Sequence, residues 1–187
     1  LFEFPLHYAG LYLGSAVQLC QQMIRTYSDR TTIAVDIPNY RGFHVRPSTL
    51  IAKIVGHYGS PVTMRLGDEE YDASSALDLF RANEEINAVK RRRIADILDK
   101  KPELQVAIPR DDDERTRELQ LLFVQLMNEG SVVLYESNLS FEDVPRDPRE
   151  TLAEFAARYV VHLMSIGKMD VRSDITVTFE GDSRALN

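Results

Sequence analysis

The segment from Thr31 to Tyr58 constrains the fold more than any other part of the chain. Residues 31–37 (TTIAVDI) are rich in β-branched and apolar side chains, which is typical of a strand. Pro38 and Gly42 break that pattern. Pro47 then stands where a first helical turn accepts proline, because its missing N–H would have no partner there. The apolar residues that follow at helical spacing, and that predict an amphipathic helix ending near Gly59, are Leu50, Ile51, Ile54, Val55 and Tyr58.

The next residues predict further short elements as far as Gly130. Residues 62–66 alternate like a half-buried strand, and residues 69–73 are suited to its hairpin partner. A long helix is predicted over 74–101, a strand over 104–108 (LQVAI) and a helix over 111–130. We therefore predict an α+β fold over 31–130, an open-faced sandwich in which helices cover one side of a mainly antiparallel sheet.

The two flanks add elements to this predicted domain. Residues 1–30 predict an N-terminal helical extension, and residues 131–187 a C-terminal α/β extension. Within the latter, Ser173–Phe179 has the same pattern of serine, threonine and alternating apolar residues as Ser60–Leu66. Two interpretations are open: residues 131–187 are a partial, degenerate second copy of the same fold, or they add an extra hairpin to the first domain.

Charge and composition exclude several classes of function. The net charge of −7 argues against general nucleic-acid binding, and no apolar run approaches the length of a membrane span. The single cysteine, Cys20, excludes an intramolecular disulfide and a thiolate zinc cage, which predicts a cytoplasmic protein. Residues 39–60, in contrast, contain three cations and no acid, and this indicates a site for an anion or an acidic partner.

Residues 42–49 (GFHVRPST) place His44 on a loop immediately before the predicted helix. A helix N-terminus offers N–H groups without intrahelical acceptors and a partial positive charge, so it attracts anions. Here the amides belong to Val45 and Arg46, and the Arg46 guanidinium adds planar donors for phosphate oxygens. The pattern therefore predicts a phosphorylated histidine, with Arg46 and the two amides stabilising the phosphoryl group.

The stretch Gly42-Phe43-His44-Val45-Arg46-Pro47 resembles the active-site signature of the HPr family of histidine phosphocarriers. The order of elements in 31–130 is also similar to that family's open-faced β-sandwich. The resemblance implies a carrier of the bacterial phosphotransferase system, without turnover of its own and without a cofactor. It would accept a phosphoryl group on His44 from an enzyme I-like donor and pass it to an enzyme IIA-like or regulatory acceptor.

The resemblance also implies roles for two other residues. Lys53, nine residues after the histidine, stands where the family often has a basic partner contact; the alternative is a solvated helix face. Ser75 stands where many members have a regulatory phosphorylation site, although a helix N-cap is the simpler role for it. The predicted second helix extends about 15–20 residues beyond the family's usual length.

Rival functions rest on weaker patterns. A regulatory protein-binding module, switched by phosphorylation of His44, is the main alternative to a carrier. The basic run Lys90–Arg93 suits nucleic acid, but we favour the solvated face of a long helix. The acidic run Asp111–Glu114 suits a helix N-terminus better than a metal ion, since consecutive carboxylates cannot easily converge on one ion. We therefore predict no metal, no nucleic acid and no membrane, and the extensions leave room for an oligomer.

Overall fold

The computed structural model describes residues 3–38, 40–136, 144, 145, 147 and 149–187. These residues form two compact units. The sheet unit comprises Leu1–Asp36, Phe43–Ala82 and Thr176–Asn187, and the helical unit comprises Ile37–Gly42 and Asn83–Ile175. The units do not follow the limits 31–130 and 131–187 drawn from the sequence, because the strand that completes the sheet comes from the last residues of the chain.

Six helices, six strands and one 3₁₀ turn, Pro102–Leu104, are found in the described residues. In chain order the elements are α1 (Glu3–Tyr27), β1 (Arg30–Asp36), α2 (Val45–Tyr58), β2 (Val62–Leu66), β3 (Glu69–Asp72), α3 (Ala76–Asp99), α4 (Asp112–Asn128), β4 (Val132–Leu134), α5 (Leu152–Ser165), β5 (Met169–Val171), β6 (Thr176–Asp182) and α6 (Ser183–Leu186). The predicted α+β class with an antiparallel sheet is confirmed.

The sheet unit is built on four antiparallel strands in the order β1-β6-β2-β3. Strand β6 lies between β1 and β2, so Phe179 is opposite both Ile33 and Met64. Alternate residues of β6 are buried, with Val177 and Phe179 in the core. Gly181 lies on the same buried face. A side chain does not fit at this position, because a Cβ would lie 2.8 Å from the carbonyl oxygen of Pro61. Strand β6 is therefore fitted to a central position in the sheet.

Two predictions about the sheet are wrong. Residues 104–108 do not supply a strand: the 3₁₀ turn ends at Leu104, and Ala107 forms only an isolated bridge with Thr151. The segment Ser173–Phe179 belongs neither to a second copy of the fold nor to an added hairpin. Its strand, β6, pairs with β2 in one sheet, and helix α6 follows it. The two segments have similar patterns because neighbouring strands bury the same face.

The helical unit has its own hydrophobic core. It is formed by α4, α5, the second part of α3 and the two-stranded antiparallel sheet of β4 and β5, in which Val132 is paired with Val171. At its centre the ring of Tyr159 stacks on Phe123 and Phe155, with centroid separations of 5.7 and 6.4 Å. Thr151 and Glu154 form a capping box at the start of α5. The helical unit therefore has its own helix cap and its own hydrophobic core, and neither involves the four-stranded sheet.

Helix α1 agrees with the predicted N-terminal helix, and the side chains of residues 4–24 are all exposed. In the part of the chain that the structure describes, no helix combines the length and the apolar content needed to cross a membrane.

Candidate functional site

His44 is the last residue before helix α2. Its backbone is extended, with φ −68° and ψ −177°, and its partly buried side chain makes no capping hydrogen bond to the helix. The carbonyl of His44 accepts the first helical hydrogen bond, from the Ser48 N–H at 3.1 Å. The imidazole is thus held at the N-terminus of α2 without being used to cap it.

The residue before His44 is fixed in the core of the sheet unit. The Phe43 side chain is 2% exposed and meets the Phe179 ring of β6 edge to face, at 6.2 Å between centroids. Its carbonyl accepts a hydrogen bond from the buried Ser48 hydroxyl at 2.5 Å. One side chain of α2 and one of β6 therefore determine where the backbone enters the helix, which fixes the main chain at His44.

The first turn of α2 can bind an anion. Val45 and Arg46 are the first residues of the helix, where N–H groups have no intrahelical acceptor, and Pro47 has no N–H to satisfy. The turn, all of it described, contains no acidic residue. Three phosphoryl oxygens at His44 would thus meet a partial positive charge and no nearby carboxylate from this turn.

One face of α2 combines two cations with apolar side chains. Arg46 and Lys53, both exposed, are seven residues apart and thus share a face of the helix. Leu50 and Ile54 lie on the same side and are 60% and 41% exposed. The sequence pattern had included these two in the apolar stripe; of that stripe, only Val55 is buried. The sequence analysis did not identify either residue as a candidate partner contact, because helical spacing does not show how much of an apolar stripe a neighbour covers.

Ser75 lies at the start of α3, where its hydroxyl accepts a hydrogen bond from the Asp78 N–H at 3.2 Å. The Asp72 carboxylate accepts from the N–H and the hydroxyl of the preceding Ser74, at 2.8 and 2.7 Å. Ser75 is therefore an N-cap in this structure, as the simpler of its two predicted roles requires.

The two charged runs have structural roles. Lys90 does not belong to a solvated face, contrary to expectation: its Nζ donates to both carboxylate oxygens of Asp170, at 2.9 and 2.8 Å, in a buried pair. Asp111 caps α4 by accepting from the Glu114 N–H, and the acids after it fill the first turn. Among the described residues, no group of three histidine, cysteine or carboxylate side chains could hold a metal ion.

Comparison with known proteins identifies the class of the segment that contains this site. Residues 31–85 match the family model described as the PTS HPr component phosphorylation site. The match spans β1, α2, β2, β3 and the beginning of α3, and includes His44. No curated protein and no solved structure matches the chain.

The match confirms the resemblance to the HPr family over residues 31–85. HPr domains are phosphocarriers rather than catalysts with independent turnover, and they interact with enzyme I and enzyme II proteins. Over residues 31–85 the chain is therefore similar to proteins that carry phosphoryl groups.

Proposed function

We propose that this chain is a histidine phosphocarrier and that His44 is the residue phosphorylated. The observation that carries the proposal is the position of His44: it directly precedes α2, inside the segment that matches the HPr phosphorylation-site family. A histidine there can present a ring nitrogen to a donor while the amides of Val45 and Arg46 face the incoming charge.

The transfer of the phosphoryl group to and from His44 needs no cofactor. A neutral ring nitrogen of His44 attacks the phosphorus, the new N–P bond forms, and the bond to the donor's leaving group breaks with its electron pair. The phosphoryl oxygens then accept hydrogen bonds from the α2 amides and from the Arg46 guanidinium, which is a charge-assisted donor. Passing the group to an acceptor nucleophile reverses these steps and regenerates neutral His44.

The partners in this proposal are an enzyme I-like donor and an enzyme IIA-like or regulatory acceptor. The exposed face of α2 supports docking, since Leu50 and Ile54 offer apolar area beside Arg46 and Lys53. Such a mixed surface suits an acidic partner with an apolar centre. Lys53 would then contact the partner rather than the phosphoryl group. A cytoplasmic location and self-association through the extensions also remain predictions.

The first prediction tests His44 directly. Incubation with enzyme I and phosphoenolpyruvate should give one acid-labile phosphate on the wild-type chain and none on His44→Ala, because the variant lacks the nucleophile. Intact-mass spectrometry before and after acid treatment measures the label. The matched control is His57→Ala, which removes an exposed histidine from the last turn of the same helix and should leave labelling unchanged. An acid-labile label that persists on His44→Ala would assign the chemistry to another residue.

A regulatory module is the second candidate function. The observation that favours it is the helical unit, whose core is separate from the sheet and which also includes Ile37–Gly42, just ahead of His44. Under this alternative, phosphorylated His44 would change the binding of a partner and would not be passed on. Dephosphorylation of the labelled chain by an added enzyme IIA domain distinguishes a carrier from a switch.

A further inference from the structure

Helix α1 carries an apolar surface that is open to solvent. The side chains of residues 4–24 are all exposed, and the Cβ positions of Gly10 and Gly14 have no neighbouring atom within 4 Å outside the helix backbone. Half of the large apolar residues that the structure describes as exposed belong to this one helix: Phe4, Leu6, Tyr8, Leu11, Tyr12, Leu13, Val17, Leu19, Met23, Ile24 and Tyr27. A concentration of this kind marks an interaction surface.

Local propensity does not account for a helix of this length. Gly10 and Gly14 both disfavour helical backbone. Residues 4–24 contain no aspartate, glutamate, lysine or arginine, so no ion pair between successive turns supports the helix there. A helix without such support is stabilised chiefly by the packing of its apolar face. Helix α1 therefore needs a partner.

The spacing of the apolar residues indicates the geometry of that partner. Seven positions, which we call the α1 stripe, alternate steps of four and three residues: Leu6, Gly10, Leu13, Val17, Cys20, Ile24 and Tyr27. This is the a/d pattern of a coiled coil over about three heptads, and no charged or amide side chain interrupts it. Val17 and Ile24, which are β-branched, occupy a positions. Leu6 and Leu13 occupy d positions, and this combination favours two parallel strands.

The charge of the helix indicates which occupant fits the α1 stripe. An acidic or basic partner would find no opposite charge in residues 4–24, and a helix that binds a membrane surface is usually rich in lysine and arginine on its polar face. Two copies of an uncharged stripe, in contrast, meet without repulsion between like charges. A two-fold symmetric interface requires this property, because the same surface faces itself.

The available area agrees with such a pair only if the contact follows the whole helix. Large side chains of this kind remove about 60–120 Å² each from water when they are buried. Six of them from each copy bury about 700–1,400 Å² in total, and a specific interface needs about 1,200–2,000 Å². The six are 38–79% exposed: Leu6, Leu13, Val17, Met23, Ile24 and Tyr27. The contact must therefore extend over the 25 residues of α1, a length of about 38 Å.

We propose that two copies of this chain dimerise through α1, as a parallel two-stranded coiled coil along the α1 stripe. Leu6, Leu13 and Cys20 of one copy then face the same positions of the second copy. The stripe contains no residue of α2, so the dimer goes beyond the proposed function of His44 and does not depend on it.

Sedimentation equilibrium of the full chain in reducing buffer tests the dimer. Wild type should have twice the chain mass of 21.3 kDa. Leu13→Glu places two carboxylates in one d layer and should raise the dissociation constant at least about 100-fold, since like charges that face each other across an interface repel. The matched control is Leu11→Glu, the same substitution two residues away and off the stripe, which should remain dimeric. Leu11 and Leu13 are 54% and 68% exposed, so neither change disturbs a core.

Oxidation of Cys20 tests the parallel arrangement. In a parallel pair Cys20 faces its own copy at a d position, so mild oxidation with copper phenanthroline should link the two chains by a disulfide. In an antiparallel pair over residues 6–27, Cys20 would lie opposite residue 13 and would form no such link. The control is Leu19→Cys combined with Cys20→Ser, which moves the thiol off the stripe and should give no linked dimer.

The proposal is overturned by a monomeric wild type, by a dimer that persists in Leu13→Glu, or by equal cross-linking at positions 19 and 20. A monomer that binds vesicles of phosphatidylcholine and phosphatidylglycerol through the α1 stripe would identify a lipid surface as the occupant and would also overturn it. Enzyme I should label His44 in Leu13→Glu as it does in wild type. A failure of that label in both proteins would contradict the proposed function, and the sedimentation result would still decide the dimer.

Discussion

At Gly42 the backbone has a φ of 58°, and a Cβ would also lie 2.3 Å from Asn83 Oδ1. Gly67 has a φ of 59° in the β2–β3 turn but nothing within 4 Å of its Cβ position. Gly67→Ala should therefore cost about 1 kcal/mol of unfolding free energy for the left-handed backbone alone. Gly42→Ala should cost about 1–3 kcal/mol more, because the methyl group also collides with a neighbour. Urea unfolding of both variants measures the difference, and equal losses would contradict the close packing at Gly42.

Arg46 and Lys53 share a face of α2 but should differ in their effects on transfer. Arg46→Ala should slow phosphorylation at saturating donor by about 10–1000-fold, because it removes a charge-assisted donor to the phosphoryl oxygens. Lys53→Ala should instead raise the half-saturating donor concentration and weaken its salt dependence, as expected for a residue at the rim of an interface. Initial rates at several donor and salt concentrations separate the two effects. An unchanged rate in Arg46→Ala would mean that the helix amides suffice.

Single residues differ in how well the sequence predicts their roles. The positions of His44, Pro47 and Ser75 follow from local rules for helix starts, and the structure places all three at or near an N-terminus. The exposure of Leu50 and Ile54 could not be predicted, because helical spacing identifies an apolar stripe without showing how much of it a neighbour covers. The contacts of Arg41 depend on residues more than a hundred positions away.

At the scale of elements, the buried pair of Lys90 and Asp170 joins α3 to β5. The two side chains are 4% and 9% exposed, and Asp170 also accepts from the Val171 N–H at 2.8 Å. Lys90→Met or Asp170→Asn alone should cost about 3–5 kcal/mol, because each leaves one buried charge without its partner. The double variant should lose much less than the sum of the two single losses. A double-mutant cycle by chemical unfolding measures this coupling, and additive losses would show that the pair is not coupled.

Strand β6 ends at a carboxylate whose charge is stabilised in the folded state. Asp182 caps α6 through the Arg184 N–H at 3.0 Å, and the Arg184 guanidinium donates to both of its oxygens. The hydrogen bonds from Arg184 hold the pKa of Asp182 well below its usual range, despite the opposing effect of burial. Because the pKa of Asp182 is lower in the folded state, the stability that its charge contributes is complete at pH values above the pKa of the unfolded chain. This stability is lost as the pH falls toward the pKa of the folded chain.

The corresponding prediction concerns Asp182→Asn, which keeps a capping oxygen but removes the charge. The variant should be less stable than wild type by a constant amount above about pH 5. The difference should shrink below about pH 4, because the unfolded wild-type chain then takes up a proton at Asp182 and the folded chain does not. Thermal unfolding as a function of pH measures both curves. A difference that stays constant down to about pH 2 would show that the charge of Asp182 contributes nothing.

The elements themselves were largely predictable, and their pairing was not. Strands β1 and β2 and helix α2 follow from alternation, helical spacing and the turn residues between them, all of which are local. The pattern of Val177 and Phe179 also predicted a strand, yet the sequence did not show that β1 and β2 would be its neighbours. Residues 104–108 were assigned to a strand because a short apolar run does not distinguish a strand from a bridge in a connecting segment.

At the scale of the whole molecule, the chain passes through the helical unit before its last strand completes the sheet unit. It passes through β1, α2, β2 and β3, continues through α3 into the helical unit, and returns as β6. The HPr match ends at residue 85, before strand β6, which completes the sheet. Phosphorylation of His44 should therefore depend on residues far outside the matched segment, because Phe43 packs against Phe179.

Two truncations test this dependence. Deletion of residues 176–187 removes β6, leaves β1 without its one described strand partner, and exposes the sites of Val177 and Phe179, each worth about 1.5–3 kcal/mol when buried. Together with the lost pairing, this approaches the whole stability of a small domain, about 5–15 kcal/mol. Deletion of residues 183–187 removes only α6 and keeps every strand.

We expect the longer deletion to abolish His44 labelling and the dispersed amide signals of the sheet unit. The methyl signals of Leu119 and Leu163 should persist, since both residues belong to the core of the helical unit. The shorter deletion should keep both the label and the sheet signals. Two-dimensional NMR and intact-mass measurement of the acid-labile phosphate provide the readouts. Wild-type labelling after the longer deletion would mean that β6 is dispensable and that residues 31–85 hold His44 in place without it.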